Sequence, residues 1–234
     1  MNVLPLKSNA IHLWEGSLDL SPEDLASFQM ILSDDEKTRA ARFKFPCDRQ
    51  RFIVARGLLR QLLGQYLGQS PESIEFAYNE KGKPYLAFSS LEFNLSHAQD
   101  QVVYAITQEV PIGVDLEYRG RDVEMEDLAE RFFSPAEYKN LMSLSEDLRR
   151  EGFFCAWTRK EAVIKAMGQG LHFPLQDFTV SLDPREPPAL QAILGDEPAA
   201  WHLFSIERPD DFALALAVRA QGKVIEGFDL NLIR

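Results

Sequence analysis

Ile112-Gly113-Val114-Asp115-Leu116-Glu117 and, further along, Phe153-Phe154-Cys155-Ala156-Trp157-Thr158-Arg159-Lys160-Glu161-Ala162-Val163-Ile164-Lys165 decide how this chain is read. The first segment alternates with a period of two, so as a strand it sets Asp115 and Glu117 on one side and Val114 and Leu116 on the other. The second places Trp157, Glu161 and Lys165 on successive turns of a helix. Two carboxylates on one side of a strand repel each other unless they are solvated or neutralised. An edge strand in water would tolerate them, and a Glu–Lys pair one turn apart is a common surface ion pair. The apolar bulk of Ile112, Val114 and Leu116 instead suggests a packed strand, for which a cation is the better account. Three carboxylates, Asp115, Glu117 and Glu161, with no soft ligand nearby suit magnesium rather than zinc. With Lys165 beside them, they point to an enzyme acting on a phosphorylated cofactor.

Outward from these segments, the spacing predicts a strand over 10–16 and helices starting at Ser21-Pro22 and at the capping box Ser33-x-x-Glu36. A longer helix capped by Asp48 runs to about Leu67 on an apolar face of Phe52, Ala55, Leu59, Leu62, Leu63 and Tyr66. Strands are expected over 74–78, 92–95 and 101–107, with a turn at 79–84, and Pro111 opens the strand of Asp115. Ser134-Pro135-Ala136-Glu137 starts another helix. A long one follows over about 151–167, stopped at Gly168 and Gly170. Strands over 177–182, 201–206 and 212–219 complete the pattern, with 183–200 read as a loop. Helices followed by strands, twice over, define an α+β chain of two halves that change over near 106–112, taken as 1–108 and 109–234. No sequence repeat between the halves is evident.

The chain has 234 residues and a formal net charge of −11, which speaks against nucleic acid as a partner. Its two cysteines, Cys47 and Cys155, form neither a metal signature nor a disulfide scaffold, and a reducing cytoplasm is the expected location. No apolar run is long enough to span a membrane, and the first residues lack the pattern of a signal peptide. Against this acidic background Lys37, Arg39, Arg42, Lys44, Arg49, Arg51, Arg56 and Arg60 crowd together with Asp48 as the lone acid among them. They form either a solvated helix face or an anion site in which guanidinium groups grip phosphate oxygens. Gly82-Lys83-Pro84 offers one more Lys on a rigid turn. Ser96 and His97 are adjacent at a strand end and point in opposite directions, so they make a poor nucleophile–base pair. They could instead donate to phosphate oxygens. His12, His172 and His202 have no comparable setting.

Taken together in order, Gly82-Lys83-Pro84-Tyr85, Phe93-Asn94-Leu95-Ser96-His97, Gly113-Val114-Asp115-Leu116-Glu117, Arg131-Phe132-Phe133-Ser134 with Glu137, and Trp157-Thr158-Arg159-Lys160-Glu161-Ala162 with Lys165 resemble a known family. The chain is similar, from about Ile11 to Arg219, to the 4'-phosphopantetheinyl transferases of the type that activates surfactin synthetase (the Sfp type), in a form closest to cyanobacterial members. The resemblance implies a pseudo-two-fold monomer of two similar α/β subdomains with the active site between them. It implies transfer of 4'-phosphopantetheine from coenzyme A to a serine of an apo acyl or peptidyl carrier protein, with magnesium, releasing 3',5'-ADP. Asp115, Glu117 and Glu161 would hold the metal, and Glu161, Lys165 and Asp115 would be the catalytic groups. Ser96, His97 and Lys165 would meet phosphates, Lys83 the adenine side, and Arg39, Arg49 and Arg56 the 3'-phosphate. The chain departs from the family pattern at Glu36, where some members carry Lys, and at Ala98, where many carry Ser. A magnesium-dependent nucleotide hydrolase and a non-catalytic coenzyme A or carrier-protein binding module are the rival readings. Because the carrier is expected to be acidic, docking is expected on an apolar patch within 121–133, with Met125 and Leu128 as contacts and Arg121 and Arg131 at its rim.

Overall fold

In the computed structural model, which describes residues 3–170, 173–208 and 211–233, the predicted element order is largely present. The chain runs β1 (Ala10–Ser17), α1 (Pro22–Ile31), α2 (Asp34–Ala41), α3 (Pro46–Leu67), β2 (Ala77–Tyr78), β3 (Pro84–Tyr85), β4 (Leu91–Ala98), β5 (Gln101–Gln108) and β6 (Ile112–Tyr118). It continues as α4 (Met125–Phe132), α5 (Pro135–Ser143), α6 (Glu146–Met167), β7 (Phe178–Val180), β8 (Leu190–Ile193), β9 (His202–Ile206), β10 (Phe212–Val218) and β11 (Val224–Asp229).

Local chemistry sets the helix ends. Ser21 Oγ accepts the Asp24 N–H at 3.1 Å ahead of α1. At α5 the capping box is closed in both directions: Glu137 N–H donates to Ser134 Oγ and Ser134 N–H to Glu137 Oε2, at 3.2 and 2.7 Å. The two long helices end at Gly68 and Gly168, whose φ of 64° and 68° is the left-handed conformation that a C-terminal glycine supplies. Both begin earlier than expected. Pro46 occupies the first turn of α3, so Asp48 lies inside the helix rather than capping it. Ser145 precedes α6, which extends back to Glu146. The expected loop over 183–200 contains β8, which pairs with β7, and the expected strand over 74–78 shortens to Ala77–Tyr78. β11 was not anticipated. Its residues are exposed or half-buried, none fully buried, and interrupted by Gly227, so it carries little period-two signal.

Two sheets organise the molecule, with orders β11-β1-β5-β4 and β6-β10-β9. Ile11 and Leu13 of β1 and Val103 and Ala105 of β5 pack against Val114 and Leu116 of β6 and Leu214 and Leu216 of β10. The outer face of the first sheet, including Trp14, Phe93, Val102 and Tyr104, buries α3 through Leu58, Leu59, Leu62 and Leu63. That of the second sheet, with Leu203, Ala215 and Ala217, buries α6 through Phe153, Ala162 and Val163. The result is four layers: helices, sheet, sheet, helices.

The halves repeat each other. β1-β5-β4 corresponds to β6-β10-β9, and α3 and α6 each have 22 residues. Each half also buries an ion pair between the acid of its capping box and a base at the same place on the long helix. Arg60 Nε donates to Glu36 Oε2 at 2.7 Å, and Lys160 Nζ to Glu137 Oε2 at 2.6 Å. Each base also donates to backbone carbonyls, Arg60 to Pro71 and Ile74 and Lys160 to Phe178. Glu36 is therefore a buried structural group. The changeover falls between β5 and β6, but β11 returns to pair in parallel with β1, so the second half is not closed on itself.

Candidate active site

β6 is the edge of its sheet, yet its edge is not in water. Asp115 is only 5 % exposed. Gly113, on the same side as Asp115 and Glu117, lets α6 lie directly on the strand: a Cβ there would stand 2.0 Å from the Ala162 carbonyl oxygen and 2.4 Å from the Ala166 nitrogen. That contact brings Glu161 and Lys165 beside the strand acids. Lys165 Nζ donates to Asp115 Oδ1 at 2.7 Å, to the Val114 carbonyl at 3.1 Å and to Ser96 Oγ at 3.0 Å. Glu117 accepts from Trp157 Nε1 at 3.0 Å and pairs with Arg121 at 3.2 Å.

Asp115, Glu117 and Glu161 line one cavity of about 440 Å³, whose other walls include Arg131, Phe132, Trp157, Phe173 and Leu175. Burial and the Asp115 charge push the Glu161 carboxyl up to about 7. The same two causes raise Glu117, against Arg121 and Trp157, which favour its ionised form. Asp115 Oδ2 is buried with no hydrogen-bond partner. An orphaned carboxylate oxygen beside two acids whose ionised forms are disfavoured is a donor set that a hard cation would complete. Among the described residues no three such side chains already converge on one point. Like charges rest apart, Asp115 on Lys165 and Glu117 on Arg121. The acids and Lys165 of the sequence reading are thus neighbours, and the reading of Asp115 as a water-exposed edge residue does not hold.

A second cavity, of about 320 Å³, opens on the other side of β4 and is lined by Arg39, Phe43, Asp48, Arg51, Phe52, Ala55, Arg56, Leu95 and His97. Alternation along β4 sends His97 into this cavity and Ser96 toward β6. The Arg56 guanidinium stacks on Phe76 at 4.7 Å from the ring centroid, and its Nη1 is buried without an acceptor. Burial, then the Lys165 and Arg51 cations, hold the His97 pKa below its ordinary value. Arg39 and Arg56 therefore meet at one cavity, whereas Arg49 is exposed and not part of its wall. Arg51, one of the basic cluster but not among its candidate phosphate contacts, and Phe52, expected only on the apolar helix face, also line this cavity. Their signal was helical spacing: Arg51 with Ala55 and Phe52 with Arg56 share the face of α3 that turns to His97.

Ser96 is 6 % exposed, with its hydroxyl engaged by Asp115, Lys165 and the Leu116 N–H. Lys83 bridges the halves: its ammonium donates to the carbonyls of Ile112 and Ala166 at 3.1 and 3.3 Å, and burial lowers its pKa to about 8. Asn79 shapes the turn, accepting the N–H groups of Lys81 and Lys83 and donating to the Gly168 carbonyl. Met125 and Leu128 of α4 are half-buried against the second core. His12 is buried against Tyr66 and the His202 ring packs tilted against Phe204, while His172 lies outside the described residues. Among the described residues no helix is long and apolar enough to cross a membrane.

This fold, with acids and a lysine at the seam of two repeated halves, coincides with what comparison with known proteins finds. A family described as "4'-phosphopantetheinyl transferase superfamily" matches residues 111–217, and one described as "4'-phosphopantetheinyl transferase, N-terminal" matches residues 17–109. The chain is 41% identical over 223 residues to the 4'-phosphopantetheinyl transferase HetI of Nostoc sp., a span of 94% of this chain and 92% of that one. It is 31% identical to a 4'-phosphopantetheinyl transferase of Bacillus subtilis over 80% of this chain and 82% of that one. It is 30% identical to the 4'-phosphopantetheinyl transferase psf-1 of Bacillus pumilus over 87% of each. The chain belongs to the 4'-phosphopantetheinyl transferase superfamily, and its relatives place it with the Sfp-type, cyanobacterial-like members.

Proposed function

We propose that this protein transfers 4'-phosphopantetheine from coenzyme A to a serine of an apo acyl or peptidyl carrier protein, with magnesium, and releases 3',5'-ADP. The observation that carries the reading is the pair of cavities on opposite sides of the β4 end, basic and aromatic on one side and acidic on the other, with Lys165 at the seam. Residues 1–108 supply the nucleotide contacts and 109–234 the acids and the lysine. Arg39 and Arg56, joined by Arg51 and His97, hold phosphate oxygens, with the Phe43 and Phe52 rings beside them. Arg49 contributes from the exposed rim, and Lys83 stands on the adenine side.

Asp115, Glu117 and Glu161 would hold the magnesium ion, which when bound supplies positive charge to the pyrophosphate. Glu161, or a water held beside the three acids, accepts the proton of the carrier serine. The Lys165 ammonium moves from Asp115 toward the leaving 3',5'-ADP and balances its charge. Ser96 is close enough to Lys165 to share that contact. The protein acts as a monomer in the cytoplasm.

The test is to incubate the protein with coenzyme A, magnesium and an apo carrier protein, then weigh the carrier. A gain of one phosphopantetheine is expected. An unchanged carrier together with demonstrated coenzyme A binding would replace this reading with a binding module. 3',5'-ADP released without any carrier would mark a hydrolase.

A further inference from the structure

The backbone of β6 that faces β4 is bonded to side chains rather than to a neighbouring strand. In an antiparallel ladder the N–H and C=O of alternate residues turn toward the same partner. β6 pairs with β10 on one side only, so the groups of Ile112, Val114 and Leu116 on its other edge must find acceptors and donors elsewhere. Asn94 Oδ1 accepts the Val114 N–H at 2.9 Å, and Ser96 Oγ accepts the Leu116 N–H at 3.1 Å. Lys165 donates to the Val114 carbonyl and Lys83 to the Ile112 carbonyl, both at 3.1 Å. Asn94 and Ser96 are two apart on β4, matching the two-residue spacing of Val114 and Leu116 on β6. The N–H groups of Val114 and Leu116, on either side of Asp115, are thereby held from the first half of the molecule.

We propose that Asn94 is a positioning residue for the active site. With Ser96 it forms a side-chain ladder that substitutes for a backbone strand and sets the register of β6, and so of Asp115 and Lys165, against the first half. Asn94 acts through Val114, whose N–H it accepts while Lys165 bonds the carbonyl of the following peptide group. A Gly or a purely apolar residue at position 94 would leave the Val114 N–H buried with no acceptor. An amide oxygen does this without bringing a charge beside Asp115, which a carboxylate at the same place would do. The proposal rests on the transferase reading for its catalytic consequence only. The ladder itself is a property of the ligand-free protein.

Two measurements test it. First, amide hydrogen exchange of the ligand-free protein should find Val114 and Leu116 protected as strongly as the paired amides of β10. Exchange as fast as that of exposed loop amides would overturn the ladder. Second, Asn94→Leu, close in size but with no acceptor, should speed exchange at Val114 by about ten-fold or more relative to Leu116. Asn94→Asp, which keeps an acceptor oxygen, should restore protection at Val114. In the transfer assay Asn94→Leu should raise the half-saturating magnesium concentration several-fold and leave the KM for coenzyme A within about two-fold, because the nucleotide cavity lies on the other face of β4. An unchanged magnesium dependence in a variant whose Val114 amide has lost protection would show that the ladder does not position Asp115. Absence of transfer by the native protein with any carrier would defeat the transferase reading and leave the exchange result standing.

Discussion

Raising the pH should destabilise the ligand-free protein through Glu161, and Glu161→Gln should remove that effect. Burial, then repulsion from Asp115, moves the Glu161 carboxyl from its ordinary 4.5 to about 7, against an opposing pull from Lys165. Between those values the folded protein keeps a proton that the unfolded chain has released. The stability contribution is thus fully present below 4.5 and is lost as pH rises through about 7. Each ten-fold difference in proton affinity corresponds to about 1.4 kcal/mol, so the loss has a ceiling on the order of 3 kcal/mol. In a chain of this size that is roughly 6–12 °C in Tm. The assay is thermal unfolding in a metal chelator from about pH 5 to about pH 8, for the native protein and for Glu161→Gln. Glu92 and Glu117 are raised in the same direction and remain in both proteins, so the difference between the two curves reports Glu161 together with its repulsion from Asp115 and Glu117. Curves that run parallel would refute the placement of Glu161 among buried acids. Added magnesium should cancel the native protein's loss at the high-pH end, since a bound cation favours the ionised carboxylate.

Gly113→Ala should disrupt the site without touching any ionisable group. The added Cβ meets α6 backbone, which cannot rotate away as a side chain would, so the helix must shift from β6. A destabilisation of about 1–3 kcal/mol by denaturant titration is expected, together with loss of transfer beyond the folded fraction. Full activity would mean that α6 has slack at this contact. Lys165→Ala should slow single-turnover transfer far more than it weakens coenzyme A binding measured by calorimetry, if the ammonium acts on charge developed in the transition state. Equal losses in both would make Lys165 a ground-state phosphate clamp.

The local signals that sequence carries well are those whose physical cause is local. The capping box at Ser33, the caps and prolines at Ser21 and Ser134, and the glycine ending α6 are readable because they act within one turn of backbone. The period-two alternation around Asp115 and the period of Trp157, Glu161 and Lys165 put the acids and the lysine on single faces of a strand and a helix. The motif resemblance then named the family, and the comparisons agree with it.

Tertiary structure decided everything that depends on two distant segments meeting. That α6 lies on β6 follows from Gly113, whose missing side chain matters only once the helix is there. That the two halves repeat was invisible as residue identity, because the buried pair is Glu with Arg in one half and Glu with Lys in the other: the packing conserves charge and position, not letters. Arg51 was passed over for Arg49 because a cluster of cations does not say which face of its helix meets β4. β11 escaped notice because an edge strand half in solvent needs no strong pattern of its own; the exposed edge of β1 supplies the pairing that makes it a strand. Asn94 read as one letter in a motif, and only the unpaired edge of β6 shows which backbone group it completes.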